Sequence, residues 1–543
     1  MPTLNWIGKE KVINHHLDVP FRVLEHKYGF TPEGKQETPI NSGNLILHGD
    51  NLEGLKALLP QYEGKIKCIY IDPPYNTGNE NWIYNDNVND PKIKKWLHQV
   101  VGKEGEDLSR HDKWLCMMYP RLVLLKRLLS YDGLIGISID DNELYNLGSL
   151  MNEIFGNSNR LACAPWLSDP SGGKEKTTLR TGHEYLIIYS GGNITNLSRE
   201  TKNVGELNLK DKSGNYRKGR ELSKWGEASL RQDRPDMWFP LIAPDGSEVF
   251  PYRNDGKEGR WRWGNKNVNI INILKDPNYA HWEKRSFDSE IKVNDQNERW
   301  FPFEKIRNKN KAFGWNTWLD KYGYNADGTK EIKMIFGEKI FNTPKPSSLI
   351  EWMVNLHSDE NSIILDSFAG SGTTAHAVLN LNKQDGGDRK FILVEMEEYA
   401  ESITAERVKR VIQGYADVEG TGGSFDYYEL GLSLFDDNNN LNDQVPLNRI
   451  REYIWYSETR MAFMDPDNRT SNNPYFLGIK DETGYYFFYE TQQVTTLDYE
   501  FLSTIDVKSG LYVVYADNCL LSKTFMEKSN IIFKKIPRDI SRL

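Results

Sequence analysis

One apolar run constrains the fold of this chain more than any other feature of its sequence. Residues Ile66–Ile71 are apolar apart from Lys67, and Asp72-Pro73-Pro74-Tyr75 follows at once. A run of that length is typical of a strand buried on both faces, as in parallel sheets. Two prolines cannot continue a central strand, so the run predicts a strand that ends in a stiff loop, which we call the proline loop.

Other segments repeat the alternation of short apolar runs with helical patterns. The predicted strands are Asn44–His48, Ile66–Ile71, Leu134–Ile139, Glu184–Tyr189, Ile363–Asp366 and Phe391–Glu395. Helical spacing of apolar residues predicts helices after Asp50, over Asp112–Ser130 and Ser347–His357, from Thr373, and over Ala400–Gln413. Strands that alternate with helices indicate an α/β fold with a doubly wound, Rossmann-like sheet.

A chain of 543 residues is too long for one compact core, and its amino-acid composition changes at two points along the chain. After Gly192 the sequence becomes rich in Asn, Gly, Lys and Trp, and the α/β pattern then resumes. A linker rich in glycine, aspartate and asparagine precedes the last part of the chain, which we expect to form a small α+β domain. The predicted division is 1–192, an insert 193–335, a second α/β part 336–415, and a C-terminal domain 416–543.

Hydropathy and cysteine spacing indicate the cellular compartment and whether a metal is bound. No apolar run reaches the length of a membrane span, and no basic segment followed by an apolar one opens the chain. The cysteines Cys68, Cys116, Cys163 and Cys519 are widely spaced, with no pairing typical of zinc sites or of a disulfide framework. We therefore expect a cytoplasmic protein without a bound metal.

The proline loop offers hydrogen-bond acceptors in a fixed arrangement. The exocyclic nitrogen of adenine is a poor nucleophile, because its lone pair is delocalised into the ring. The Asp72 carboxylate can accept one of its N–H groups and the Pro73 carbonyl the other, while the prolines hold both acceptors in place. Tyr75 offers a flat face to a base that has left the duplex stack. The alternative is a proline-stiffened turn capped by Asp72.

A second loop, which we call the glycine loop, lies far downstream at Asp366-Ser367-Phe368-Ala369-Gly370-Ser371-Gly372-Thr373. It joins a predicted strand to a predicted helix, and Gly370 and Gly372 permit a tight turn and close approach of a ligand. Glu395 ends the next predicted strand, where a carboxylate can bind ribose hydroxyls. Nicotinamide-dependent enzymes use the same physics, and a plain strand-to-helix turn is a further alternative. The late position of the loop and its incomplete G-x-G-x-x-G spacing favour another cofactor.

The order of the two loops resembles the β-class amino-methyltransferases of DNA, a circularly permuted arrangement in which a target-recognition domain separates the substrate loop from the cofactor loop. The resemblance is greatest to the modification (Mod) subunits of type III restriction–modification systems. The supporting segments are Trp6–Glu10, Asn14–His16, His48–Asn51, Arg234–Asp236, Gly259–Trp263, Thr343–Pro346 and, less specifically, Tyr453–Arg460.

The resemblance implies base flipping, adenine N6 methylation and a role for individual residues. Catalysis would rest on Asp72, Pro73, Pro74 and Tyr75. S-adenosylmethionine would be bound by Asp50, Asp72, Lys345, Asp366, Phe368, Ala369, Gly370, Gly372, Thr373 and Glu395. Asp50 would lie near the cofactor adenine, Glu395 on the ribose and Lys345 at the methionine end. An aspartate before the prolines is typical of adenine enzymes, whereas cytosine N4 enzymes more often have serine. The segment Asp366-Ser367-Phe368 departs mildly from the Asp-Pro-Phe of the family.

The insert has its own expected role. It carries more lysine and arginine than aspartate and glutamate, and most of its tryptophans are expected to build the core of a small domain. We expect Arg253, Arg260, Arg262 and Lys266 to contact phosphate, while other side chains of the insert read base edges. The resemblance further implies double-stranded DNA as substrate, a homodimer, and a separate Res subunit with ATPase and endonuclease activity.

Three alternatives remain beside this interpretation. A solitary DNA adenine methyltransferase needs no restriction partner. A nicotinamide-dependent oxidoreductase accounts for the glycine loop and Glu395 but leaves the proline loop unexplained. A non-catalytic DNA-binding subunit does not need an intact proline loop. The chain has no G-x-x-x-x-G-K-[ST] segment, so it is not expected to be an ATP-driven motor.

Overall fold

The computed structural model describes residues 3–77, 108–172, 179–192, 194, 197–203, 205–286, 298–436, 438–466 and 471–541. These residues form two compact units. One unit comprises Met1–Ser198 together with Asn316–Leu543, and the other comprises Arg199–Trp315. The second unit is shorter at both ends than the predicted insert, residues 193–335.

The described part of the first unit contains a ten-stranded sheet. Six neighbouring strands at its centre are parallel, and antiparallel strands extend it at both edges. In spatial order the strands are Gly34–Gln36, Arg22–Thr31, Phe425–Ser433, Leu45–His48, Lys390–Glu395, Ile363–Asp366, Ile66–Ile71, Leu129–Ile139, His183–Ser190 and Arg160–Leu167. Crossovers between parallel neighbours make this an α/β sheet of the predicted class.

Helices cover both faces of the sheet, as a doubly wound fold requires. On one face, alternate strand residues such as Leu47 and Ile69 share a core with three helices, which are Asn51–Tyr62, Leu108–Leu128 and Leu144–Phe155. On the other face, the sulfur of Met353 in helix Ser347–Asn355 lies 2.7 Å from the place that a Cβ on Gly136 would take. Helix Thr373–Asp385 packs beside that helix.

Most predicted elements of the α/β region are present, and several boundaries differ; the helix predicted over Ala400–Gln413, for example, is α-helical only over Glu406–Gln413. The strands Ile66–Ile71 and Ile363–Asp366 and the start of a helix at Thr373 are confirmed. The helix predicted over Asp112–Ser130 spans Leu108–Leu128 instead, and the strand Leu129–Ile139, which contains Gly133, follows it directly. A Cβ at Gly133 would lie 2.9 Å from the carbonyl oxygen of Ile66, so glycine permits a close approach of two strands there.

The C-terminal part of the chain contributes to the main sheet. Strand Phe425–Ser433, which the predicted division assigns to the C-terminal domain, lies between Arg22–Thr31 and Leu45–His48. Beyond it, a four-stranded sheet packs on its own apolar cluster. Its strands, in order, are Phe476–Lys480, Thr483–Phe487, Leu511–Ala516 and Ile531–Lys535, and the helices of this region are Leu447–Thr459, Tyr499–Ser503 and Lys523–Lys528.

The second unit, Arg199–Trp315, is built mainly from short antiparallel strands. Four of them form a sheet in the order His281–Ser286, Glu298–Ile306, Gly214–Glu221 and Leu209–Asp211, and a further pair joins Glu200–Asn203 to Asn310–Phe313. Its core surrounds the fully buried Trp261, with Trp263, Trp282 and Trp300 packed against it. The contacts of these four tryptophans are those of core residues, as expected for most tryptophans of the insert.

The remaining α-helices and strand pairs of the described residues are short. They are the helices Lys9–Val12, His15–Asp18, Val268–Lys275, Asn325–Phe336 and Glu406–Gln413, and the strand pairs Leu241–Ile242 with Glu248–Val249, Gly414–Tyr415 with Val418–Glu419, and Thr496–Leu497 with Asn518–Cys519. Among the helices described, none is long and apolar enough to cross a membrane.

Candidate active site

The proline loop and the glycine loop leave the same edge of the sheet. Strands Ile66–Ile71 and Ile363–Asp366 are parallel neighbours, with Leu365 opposite Ile69. Ligands of open α/β sheets bind beyond the carboxyl ends of such strands. The fold therefore brings together two segments that the whole insert separates in the chain.

The proline loop lies in a cluster of charged and polar side chains. The hydroxyl of Tyr75 is 2.9 Å from Asp72 Oδ1 and 2.9 Å from Glu184 Oε2. The ammonium of Lys345 donates to Asp72 Oδ2 at 2.8 Å and lies 3.4 Å from Glu184 Oε2. Asn325 donates from Nδ2 to Glu184 Oε1 at 3.1 Å. Lys345 Nζ also lies 5.0 Å from the centre of the Tyr75 ring, a cation–π contact.

The charges in this cluster follow from burial and pairing. Burial raises the pKa of Asp72, a shift that Lys345 opposes and the charge of Glu184 reinforces. Burial acts on Glu184 in the same sense, but Lys345, Asn325 and Tyr75 outweigh it, so the pKa of Glu184 is lowered. Burial lowers the pKa of Lys345, yet its two carboxylate partners more than compensate and raise it. One ammonium group is thus shared by two carboxylates.

The far side of the proline loop is also anchored. The indole N–H of Trp114 donates to the Pro74 carbonyl at 2.7 Å. Asn76 adopts a φ of 62°, in the left-handed region that asparagine tolerates better than most residues. Its side-chain amide donates to the fully buried carboxylate of Glu143, which also lies 2.6 Å from His111 Nδ1. The backbone of the loop is therefore held from both sides.

The glycine loop is shaped by its own backbone. Asp366 accepts the N–H of Phe368 at 3.0 Å and the hydroxyl of Thr374 at 2.5 Å. Gly370 and Gly372 have φ values of 52° and 80°, which favour glycine. A Cβ at Gly372 would also lie 3.0 Å from the Thr404 carbonyl oxygen. These positions explain why the predicted glycines are required for a sharp turn into the helix.

The buried arginine Arg407 supports the same loop from behind. Its guanidinium donates to the hydroxyls of Ser371 and Thr373 at 2.9 and 2.7 Å, and to Glu331 at 3.0 Å. The Thr373 hydroxyl in turn donates to the carbonyl of Lys345 at 3.3 Å, which connects the glycine loop to the residue that pairs with Asp72. Local sequence patterns do not reveal a functional role for Arg407, Glu331, Glu184 or Asn325. The sequence around each of these residues contains no recognisable motif, because each of them contacts residues that are distant in the chain.

Glu395 and Asp50 lie at adjacent strand ends. Strands Lys390–Glu395 and Leu45–His48 pair in parallel, and Gly49 donates to the Glu395 carbonyl at 2.9 Å. The Glu395 side chain accepts the N–H of Gly370 at 2.6 Å, and burial raises its pKa to about 8. Asp50 caps helix Asn51–Tyr62 through the N–H groups of its first turn.

Comparison with known proteins places the chain in a family. The sequence model of a family described as DNA methylase matches residues 66–406. The chain belongs to the DNA methylase family. The type II methyltransferase M.KpnI of Klebsiella pneumoniae is 33% identical over 378 residues, which cover 67% of this chain and 83% of that protein. With this membership, the nicotinamide-dependent oxidoreductase alternative is rejected.

Mod subunits are also similar to this methylase. The EcoPI Mod subunit of Escherichia phage P1 is 32% identical over 435 residues, covering 73% of this chain and 64% of that subunit. The EcoP15I Mod subunit of Escherichia coli is 30% identical over 434 residues and is likewise matched over 64% of its length. The methylase thus spans somewhat less than two thirds of the Mod subunits it matches.

The chain also matches solved structures at low sequence identity. The crystal structure of the M1.HpyAVI–SAM complex is 13% identical, covers 67% of this chain and 98% of that chain, and has a TM-score of 0.31. The cytosine-N4-specific PvuII DNA methyltransferase is 11% identical, covers 67% and 86%, and has a TM-score of 0.32.

S-adenosylmethionine is the cofactor of this methylase. The residues present fit it, because a glycine turn with positive φ angles lies beside the Glu395 carboxylate, which can accept ribose hydroxyls. Within the part of the chain that the structure describes, no group of three or more His, Cys, Asp or Glu side chains is arranged to hold a metal ion.

The predicted DNA-contacting residues lie in the second unit, where three of them bond to their own unit. Arg253 donates to the Ser229 hydroxyl at 2.6 Å. Arg260 and Arg262 donate to the backbone carbonyls of Ala228 and Glu221 at 2.5 and 2.7 Å. Lys266 is exposed. A guanidinium has five N–H donors, so these bonds leave room for phosphate contacts, which stay a prediction.

Proposed function

We propose that this methylase transfers a methyl group from S-adenosylmethionine to N6 of a flipped adenine at a specific site in double-stranded DNA. One observation carries the proposal. The Asp72 carboxylate is held by Lys345 at 2.8 Å, at a strand end that adjoins the strand leading into the glycine loop. The aspartate before the prolines favours adenine over cytosine, since the resemblance associates serine with cytosine N4 enzymes.

The proline loop would act on the adenine amino group through its acceptors. Asp72 and the Pro73 carbonyl would each accept one N–H, which restores nucleophilic character to the nitrogen as it becomes tetrahedral. Trp114 holds the neighbouring Pro74 carbonyl, so the backbone of the loop is already fixed when the base arrives. The Tyr75 ring would stack on the flipped base.

The cofactor would supply the methyl group, and the chain would hold it by residues at strand ends together with Lys345, which precedes helix Ser347–Asn355. Glu395 would bind the ribose, Asp50 would lie near the adenine moiety, and Lys345 would lie at the methionine end. The rest of the cofactor site would be lined by residues of the glycine loop, namely Asp366, Phe368, Ala369, Gly370, Gly372 and Thr373. Asp72 would border both the cofactor and the substrate.

We further propose that the chain is the modification subunit of a type III restriction–modification system. The similarity to the EcoPI and EcoP15I Mod subunits supports this assignment. It implies a cytoplasmic homodimer and a separate Res subunit. The similarity to M.KpnI over 83% of that protein supports the alternative of a solitary methyltransferase. Mass spectrometry of proteins that copurify with the tagged chain separates the two, because a stoichiometric ATPase–endonuclease partner is expected for a type III system.

Methylation-aware sequencing of DNA from cells that express the chain tests the activity and reports both base and site. N6-methyladenine within one sequence context is the expected result, and N4-methylcytosine would contradict the proposal. The variant Asp72→Ala should lower transfer of a radiolabelled methyl group by about 100-fold or more, in the range of a lost acceptor in a preorganised site. The control Asp132→Ala removes an exposed carboxylate that is bound to Lys67 and should leave the rate unchanged.

A further inference from the structure

Tyr75 has one hydroxyl proton and two carboxylate acceptors at equal distance. Asp72 Oδ1 and Glu184 Oε2 are both 2.9 Å from its oxygen. A hydroxyl can donate to one acceptor at a time, so the two carboxylates compete for this proton. The proposed reaction requires Asp72 to accept an N–H from the substrate as well. The second acceptor therefore matters for how the cluster adjusts when the substrate arrives.

The surroundings of Glu184 favour its ionised form, in which it accepts hydrogen bonds. It lies on strand His183–Ser190, and its side chain is 14% exposed. Asn325 donates to one of its oxygens, while Lys345 and Tyr75 face the other. The Asn325 contact holds the carboxylate in place independently of Asp72. A buried hydroxyl without an acceptor destabilises the fold, because it has lost its hydrogen bonds to water and gained none in return. Glu184 gives the Tyr75 hydroxyl an acceptor and so avoids this loss.

We propose that Glu184 is a positioning residue that takes over the Tyr75 hydroxyl when the target amino group engages Asp72. The proposal rests on the proposed function, because it concerns the same proline loop during methyl transfer. In the resting site the Tyr75 proton is shared between two carboxylates. When the N–H of the substrate reaches Asp72, the hydroxyl donates to Glu184 alone, and the Tyr75 ring keeps its place beside the base.

A double-mutant cycle tests this role. Glu184→Gln keeps the shape of the side chain but replaces a charged acceptor with a neutral amide, and we expect the kcat of methyl transfer to fall about tenfold. The KM for S-adenosylmethionine should not change. In a Tyr75→Phe background the shared proton is absent, so the same substitution should change kcat by less than about threefold.

The matched control is Glu63→Gln. Glu63 also accepts from a tyrosine hydroxyl, that of Tyr456, and from a cation, Arg127, but it lies outside the site. It should leave kcat unchanged in either background. If Glu184→Gln lowers the melting temperature too far for assay, Glu184→Asp serves instead, since it keeps the charge but withdraws the oxygens from Tyr75.

The outcomes separate the inference from the proposed function. A wild-type chain that binds S-adenosylmethionine but methylates no DNA overturns the proposed function and the inference with it. An active wild type whose Glu184→Gln variant matches it, or a cycle in which the two substitutions act independently, overturns the inference alone. A non-additive cycle with an unchanged cofactor KM supports it.

Discussion

The two loops of the site are stabilised in different ways. In the proline loop the cation Lys345 contacts the carboxylate of Asp72 itself, together with Glu184. In the glycine loop the cation Arg407 contacts the hydroxyls of Ser371 and Thr373, and Asp366 is satisfied by a backbone N–H and a hydroxyl. The first loop depends on charge pairing, and the second depends mainly on backbone shape.

This difference suits what each loop is proposed to do. A carboxylate that must accept an N–H has to stay ionised, and an adjacent ammonium group favours the charged form. A loop that must follow the outline of a cofactor needs the backbone angles that glycine allows and a rigid support. Its aspartate, Asp366, can be protonated without loss of that shape. Substitutions that remove each cation should therefore have unequal consequences.

The largest effect is expected for Lys345→Met. It leaves Asp72 and Glu184 close together without the ammonium group that pairs with both, and the Lys345 side chain is only 7% exposed. The free energy of unfolding should fall by about 3 kcal/mol, as for a buried pair that loses one partner. Urea unfolding measures it. Lys67→Met removes the cation that pairs with the exposed carboxylate of Asp132 and should cost less than about 1 kcal/mol. A loss equal to that of Lys345→Met would show that the charge pairing in the proline loop is unimportant.

A smaller effect is expected for Arg407→Met. The substitution removes donors to the glycine loop and leaves Glu331 without this cation, but Glu331 is 23% exposed and can be hydrated in part. The free energy of unfolding should fall by about 2 kcal/mol, and binding of S-adenosylmethionine should weaken. Calorimetric titration checks the affinity. Arg410→Met, which removes a more exposed pair with Glu406 in the same helix, is the control; a variant with unweakened cofactor binding would contradict the supporting role of Arg407.

The third prediction concerns the pH dependence of stability through Asp366. Burial raises the pKa of Asp366 from 3.8 to about 7. Between those two values the unfolded chain has lost the proton and the folded chain retains it, so this group lowers stability as the pH rises and contributes no further change above the folded pKa. In cofactor-free protein, Asp366→Asn should make the unfolding free energy less dependent on pH across that window. An unchanged slope in urea titrations would show that Asp366 is ionised in the fold.

The smallest expected effect is a shift in the pH profile of Glu184→Gln. The groups that face Asp72 are Lys345, Glu184, Tyr75, Tyr70 and Asp366. Methyl transfer should fall as the pH drops through the raised pKa of Asp72, because the protonated acid no longer accepts an N–H as well. Removing the charge of Glu184 lowers that pKa, so the acid limb should move to lower pH by less than about one unit. A limb that moves to higher pH would contradict this electrostatic account.

Much of the α/β core could be predicted from local pattern. The strand Ile66–Ile71 and the turn at Gly370 and Gly372 follow from apolar runs and from the conformational freedom of glycine. Gly133 shows the limit, since its role depends on a carbonyl oxygen of another strand. Strand Phe425–Ser433 shows it too, because its place in the main sheet depends on partners near the other end of the chain.

The two loops, their order around an insert, and the chemistry that Asp72 and Glu395 can supply are all readable from the sequence. These features are encoded in short stretches whose residue types restrict the backbone directly. The pairing of Lys345 with Asp72, the competition of Glu184 for the Tyr75 proton, and the support of the glycine loop by Arg407 emerge only in the folded chain. Those contacts join strand ends and helices from distant segments, and hydrogen bonds depend on distance in space, which no local pattern records.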